Sequence, residues 1–246
     1  MLVDCHAHID TDDFDNDRDE VVKKCNIIIV NAGVDYNSSL KSIDLANKYT
    51  NVIPAVGLHP EFIGEKEKEL PLILELISKV KIISEVGLDY YWIKDSSLRK
   101  RQIEVLQKFF EIGEKEGKPL IVHIRGGMKD LLQLISSYKL KLVVHAFEGS
   151  VKDAKRIIDY GGYISIPPIV VRDKQRQEIV KNVELSNLLT ETDSPFMGAK
   201  KGERNEPCNV RLAIQKIAEL KGLSEEEVEN VIYNNFMRLL NLQIRS

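Results

Sequence analysis

The chain has 246 residues, 43% of them hydrophobic and 30% charged, with 35 Lys+Arg against 38 Asp+Glu and a formal net charge of -3. That balance describes a folded globular protein with material for a sizeable core and excludes an intrinsically disordered chain. It also excludes a bulk polycation that grips nucleic acid over its whole surface, so any polyanion must be held at a local site.

In chain order, the apolar run MLVDCHA reads as a first β-strand and NIIIVNAG as a second. After the helical stretch SLKSIDLANKYT comes NVIPAVGLH, a third strand. ELPLILELISKV has helical periodicity and leads into KIISEVGLD, the fourth, and LRKRQIEVLQKFFEIGEKEG leads into PLIVHIR, the fifth. MKDLLQLISSYK separates that strand from KLVVHAF, and VKDAKRIIDYG separates KLVVHAF from GYISIP. An eighth run, NLLTETDS, precedes a C-terminal part that reads as helix only: VRLAIQKIAELKG, then SEEEVENVIYNNFMRLLN, opened by a capping box of Ser224 and Glu227. Alternating strands and helices in about this length predict an α/β fold, a (β/α)8 TIM-type barrel with extra C-terminal helices, in a single domain spanning 1–246. The competing fold is an open doubly wound sheet, whose usual GxGxxG and P-loop motifs are absent.

Cys5, Cys25 and Cys208 show no CxxC spacing, so a disulfide is not expected and the three thiols suit a reducing compartment. No stretch resembles a signal peptide, and none is apolar over the roughly 18 residues that a membrane span needs. The expected location is the cytoplasm, without a membrane partner.

All five histidines fall at the C-terminal ends of the predicted strands. Alternation puts His6 and His8 on one side of the first strand, with Cys5 and Ala7 on the other. His59 follows the third strand, His123 ends the fifth and His145 ends the sixth; Glu85 lies towards the end of the fourth, Glu191 and Asp193 at the end of the eighth. In a barrel this face carries the chemistry. Four imidazoles, from His6, His8, His123 and His145, meeting Glu85 and Asp193 in one mouth would be badly solvated without a cation. Such a set exceeds the needs of one tetrahedral ion, so two divalent metal ions with a bridging carboxylate are the economical arrangement. Imidazole with carboxylate favours Zn or Mn, with Co and Ni also suited and Mg able to support activity. Two carboxylates against two divalent ions leave the filled site net positive, which suits an anionic substrate. Arg125, and Lys200, Lys201 and Arg204 after the eighth strand, add basic groups to the same rim.

These residues resemble the TatD-like metal-dependent deoxyribonucleases of the amidohydrolase superfamily. The matching segments are DCHAHID, VGLHP, SEVGLDYYW, RQIEVLQKFF, PLIVHIRGG, VVHAFEGS, TETDSPF and RNEP, in order along nearly the whole chain. The resemblance implies a TIM-type barrel with two divalent metals and hydrolytic removal of nucleotides from DNA. It makes His6 and His8 ligands of one metal with Asp193 nearby, Glu85 the bridge, and His123 and His145 ligands of the other. It places His59, Arg125 and Arg204 at phosphate-contacting positions. Two positions depart from the family pattern: Ala146 stands where a cysteine is expected, and Gly126 and Gly127 follow Arg125 where a bulkier residue is common. Both bear on substrate preference. Superfamily relatives often bridge their metals with a carboxylated lysine; here Glu85 stands at that place and no lysine ends a strand, which excludes the modified-lysine version.

The expected activity is that of a metal-dependent phosphodiesterase acting from an end of DNA, with Glu85 and Asp193 as catalytic carboxylates and Asp193 accepting the proton of the attacking water. Tyr90, Tyr91 and Trp92, beside Glu85, offer stacking surfaces that suit a single strand. The alternatives are an ester hydrolase on the same site, such as a deacylase of mischarged D-aminoacyl-tRNA, and a non-enzymatic metal-binding barrel, against which the complete ligand set argues.

Overall fold

The computed structural model describes residues 1–242. Its eight strands are β1 (Leu2–Ala7), β2 (Ile27–Ala32), β3 (Val52–Val56), β4 (Ile82–Asp89), β5 (Leu120–Arg125), β6 (Leu142–Val144), β7 (Tyr163–Ile166) and β8 (Leu188–Thr190). They pair in sequence order, every ladder parallel, as the barrel pattern requires. The ring closes between β8 and β1, where Thr190 Oγ1 donates to the Val3 carbonyl at 2.7 Å and the Asp193 N–H donates to the His6 carbonyl at 2.9 Å. Because helices cover the outside and side chains fill the inside, the strands read as nearly unbroken apolar runs; every residue of β4 is buried.

The helices are α1 (Arg18–Lys23), α2 (Tyr36–Lys48), α3 (Leu70–Leu76), α4 (Ser96–Glu116), α5 (Met128–Ile135), α6 (Val151–Asp159), α7 (Lys174–Asn182), α8 (Val210–Lys221) and α9 (Glu225–Leu239). The Ser224–Glu227 capping box opens α9 as predicted, and α8 and α9 pack outside the seam between β8 and β1. There the buried Asn235 donates to the carbonyls of Leu185 and Leu188 at the entry to β8. Two helices carried no clear sequence signal. Each is short and mostly polar: α1 buries only Val21 and Val22, so its periodicity is too brief to register, and α7 reads KQRQEIVKN. No helix among the described residues is long and apolar enough to cross a membrane.

One expectation is overturned: Cys25 and Cys208 form a disulfide, with a Cα–Cα distance of 6.1 Å, and only Cys5 remains free, buried in the core. The pair lies 183 residues apart in sequence, with no spacing motif to reveal it. Closure of the barrel brings the residue ahead of β2 against the turn Pro207–Asn209 ahead of α8. With two of the three cysteines bonded to each other, the thiols no longer point to a reducing compartment. A crosslink closing so long a loop stabilises a fold by about 2–4 kcal/mol. Cys25→Ser should therefore lower the melting midpoint by several degrees relative to the oxidised protein, while a thiol titration of the unreduced, denatured wild type should find one thiol; three thiols would contradict the bridge.

Candidate metal centre

The ends of β1, β4, β5, β6 and β8 converge on one cavity of about 730 Å³ at the C-terminal face of the barrel. Glu85 is at its centre, nearly fully buried, with its two oxygens facing different partners. Oε2 is 3.3 Å from His8 Nε2 and 3.4 Å from His6 Nε2; Oε1 is 3.0 Å from His145 Nε2, 3.2 Å from His123 Nδ1 and 3.3 Å from His59 Nε2. Asp193 Oδ1 also approaches the β1 pair, 3.3 Å from His8 Nε2 and 3.6 Å from His6 Nε2. Close packing of β4 on β5 makes this convergence possible: a Cβ on Gly87 would sit 1.9 Å from the His123 carbonyl oxygen.

Polar contacts on the far side of the rings orient the imidazoles. His8 Nδ1 lies 3.0 Å from the Ala32 carbonyl, an acceptor only, so Nδ1 carries the proton and Nε2 presents a lone pair to the cavity. His123 Nε2 donates to Asp89 Oδ2 at 2.9 Å, which leaves Nδ1 without a proton, 3.2 Å from His145 Nε2; His145 Nδ1 faces the buried Glu191 at 3.6 Å, beyond hydrogen-bond distance. His6 Nδ1 is 3.4 Å from Ser84 Oγ. His59 has the opposite polarity. Its Nδ1 accepts from the Glu61 N–H at 3.2 Å, so its Nε2 carries a proton and is a hydrogen-bond donor.

The electrostatics follow from burial and mutual charge. Burial opposes ionisation of Glu85, but His59, His6, His145 and His123 outweigh it and hold the carboxyl well below its usual range. Asp193 is held low in the same way by His8, His145 and His6. Burial also works against charge on His8 and His145, yet Asp193 and Glu85 push the first well up, and Glu191 and Glu85 the second. His123 is raised against burial by Asp89 and Glu85; His6 is lowered, by burial and by neighbouring His145. The carboxylates thus draw positive charge into the cavity. Meanwhile His6 Nε2 and His145 Nδ1 are buried without a hydrogen-bond partner, and the donor atoms of His6, His8 and Asp193, of His6, Glu85 and His145, and of His59, Glu85 and His123 each lie within 4.8 Å of one another. Lone pairs of imidazole and carboxylate gathered this way fit a divalent-metal site.

Among the supporting carboxylates, Glu191 stands out in the sequence only by its place at a strand end, and Asp4 and Asp89 are not singled out there. Glu191, fully buried, accepts from Ser165 Oγ and, at 2.7 Å, from the Ala146 N–H. Asp4 holds the segment beneath Asp193 by accepting from the Thr192 N–H at 2.8 Å and its hydroxyl at 2.5 Å. Their one sequence signal is an acidic residue inside an apolar strand, as in LVDCHA, GLDY and TETD. Arg125 lines the cavity as expected. Arg204 does not: Asp17 accepts from both of its terminal nitrogens, at 2.9 and 2.5 Å, and the Asp13 carbonyl and Glu206 take further bonds at 2.7 and 3.1 Å. It clasps the loop after β1 to the loop after β8. Lys200 and Lys201 are exposed, Lys200 beside Glu203 at 3.7 Å.

A barrel with this cluster at its mouth is a metal-dependent hydrolase fold of the amidohydrolase superfamily, and the comparisons narrow it. The chain belongs to the TatD family, whose model, TatD related DNase, matches residues 3–241. It is 37% identical over 240 residues to an uncharacterized metal-dependent hydrolase of Methanocaldococcus jannaschii, covering 95% of this chain and 94% of that one. It is 32% identical over 257 residues to the Homo sapiens deoxyribonuclease TATDN3, covering 97% and 94%. The crystal structure of a TatD family hydrolase from Entamoeba histolytica superposes with a TM-score of 0.84 at 25% identity, covering 97% of each chain. The chain is a metal-dependent hydrolase active on ester-type bonds.

Proposed function

We propose that this hydrolase is a deoxyribonuclease of the exonuclease type, cleaving phosphodiesters from an end of single-stranded DNA in the barrel mouth. The observation that carries the reading is the division of labour among the histidines. His8 and His123 present lone pairs, whereas His59, whose Nε2 lies 3.3 Å from Glu85 Oε1 in the cavity that Arg125 also lines, presents an N–H. Lone pairs hold cations and N–H groups hold anions, so the cavity is built to bring a phosphate to a metal.

His6, His8, Glu85 and Asp193 would hold one divalent ion and Glu85, His123 and His145 the other, with Zn or Mn favoured by ligand type and Mg able to support activity. When bound, such ions polarise a phosphoryl oxygen and lower the pKa of water. His59 and Arg125 bind the non-bridging phosphate oxygens, Arg125 with a planar fork of constant charge, and so stabilise the charge that builds on phosphorus in the transition state. Asp193, partly open to the cavity, takes the proton of the attacking water and returns it to the departing sugar oxygen. Trp92, 59% exposed and lining the cavity, offers a face on which an unpaired base can stack.

The test is metal reconstitution. The chelated protein is given Zn, Mn or Mg separately, and end-labelled single- and double-stranded DNA is followed on a gel. Stepwise shortening that needs metal is the expected result. Intact DNA, with free amino acid released from D-aminoacyl-tRNA by the same protein, would move the activity to ester hydrolysis on RNA. The histidine polarities give a sharper prediction. His8→Ala should lose bound metal, whereas His59→Ala should keep it while kcat/KM falls by about a hundredfold, the effect of deleting one transition-state donor. Metal loss from His59→Ala, measured by elemental analysis, would make His59 a ligand instead.

A further inference from the structure

Arg125 stands between two cavities. Inward lies the mouth just described; outward lies a groove of about 510 Å³ walled by Tyr90, Tyr91, Lys94 and Arg99, and Arg125 and Glu148 line both. The guanidinium rests on Tyr91, its Cζ 3.9 Å from the ring centroid, which fixes its plane. Its nearest charge partner among the described residues is Glu148, 3.8 Å from Nε and beyond hydrogen-bond distance, so the terminal N–H groups are free to serve either side.

The rest of the groove has the same character. Lys94 is exposed at its outer side, 5.2 Å from the Tyr91 centroid, with only a long 3.4 Å hydrogen bond to the Tyr90 carbonyl. Arg99 is fixed in the wall by donating to the carbonyls of Ile93 and Tyr90, each at 2.7 Å, so it contributes charge but few free donors. Gly126, at φ +75°, adds no side chain, and a Cβ there would come within 3.2 Å of Tyr90 Cβ. Three cations face one carboxylate in a protein whose net charge is -3.

We propose that this groove is a second backbone subsite, which binds the phosphodiester next to the scissile one between Arg125 and Lys94. The proposal rests on the phosphodiesterase reading above and adds the side from which the strand approaches: past the segment after β4, over Arg125 and into the mouth. Cations and an aromatic wall read charge and backbone, so the subsite favours strands with several phosphates over a dinucleotide without selecting sequence.

The experiment uses metal-loaded enzyme and two readouts. The first is equilibrium binding of fluorescein-labelled dodecathymidylate with phosphorothioate linkages, which resist hydrolysis, measured by anisotropy across a salt series. Lys94→Ala should weaken binding by about fivefold, the upper range for one exposed charge contact. It should also reduce the slope of log Kd against log salt by about 0.7, one phosphate contact on a single strand; Lys94→Arg should restore both. The second is the ratio of kcat/KM for ordinary dodecathymidylate to that for dithymidylate, which should fall by a similar factor in Lys94→Ala. Unchanged binding and slope in Lys94→Ala and Lys94→Glu, with wild-type cleavage intact, would overturn the subsite and leave the hydrolytic reading standing. The expected binding changes in a wild type that cleaves neither strand would support the groove as a strand-binding site and overturn the hydrolytic reading alone.

Discussion

Replacing Glu85 by Gln should abolish the metal site as a unit: bound metal falls below the wild-type content and phosphodiester turnover drops by about a thousandfold or more. The expectation comes from the position of the two oxygens, Oε2 facing the β1 histidines and Oε1 facing those of β5 and β6. Glutamine keeps the volume but removes the charge and turns one face into an NH2 donor, which cannot share a cation with a histidine lone pair. Substituting a residue that merely orients a metal ligand typically costs 10–100-fold, so the shared carboxylate should cost more. Elemental analysis and a turnover assay on the same preparation decide it. A Gln variant with full metal content and wild-type turnover would deny Glu85 its bridging place.

Asp193→Asn should separate proton handling from metal retention: turnover falls by about 10²–10⁴-fold, the usual contribution of a positioned acid–base group, while metal content and melting midpoint stay near wild type. Asparagine is the informative substitution because the backbone here is demanding. Asp193 has φ +53°, a left-handed conformation that costs most side chains roughly 1–2 kcal/mol and that Asn, like Asp, tolerates. The amide also retains an oxygen that can face His8. Unchanged turnover would remove Asp193 from the chemistry; loss of one ion would mean that its charge, and not its oxygen alone, is needed to hold the metal.

Much of this site was legible because its parts obey strand geometry. The His6–His8 alternation needs only a β-strand to aim both rings at one place, and His123, Glu85 and His145 needed only the rule that barrel chemistry sits at strand ends. Residues acting through tertiary contacts were hidden. Nothing local marks Asp89 as the partner of His123 or Glu191 as the neighbour of His145, since the first contact waits on the pairing of β4 with β5 and the second reaches from the end of β8 to the end of β6. Arg204 shows the opposite failure: a basic residue near the eighth strand suggested a phosphate contact, but its fork is filled by Asp17, and only coordinates reveal which acid reaches it first. The Cys25–Cys208 bridge was invisible for the same reason of distance along the chain.

The stitching of β8 to β1 has a consequence for how the molecule is made. The Asp193 N–H bonded to the His6 carbonyl, at 2.9 Å, and the His8 N–H bonded to the Ser194 carbonyl, at 2.8 Å, join segments from opposite ends of the chain. A nascent chain still short of residue 193 therefore lacks one wall of the site, however well its earlier strands have paired. Closing so distant a contact carries the largest loop entropy in the barrel and belongs late in folding. Any cation gripped by His6, His8 and Asp193 binds the closed ring and not its open precursors, so cellular metal supply would act as a quality check on newly synthesised chains, favouring those that have completed the circle.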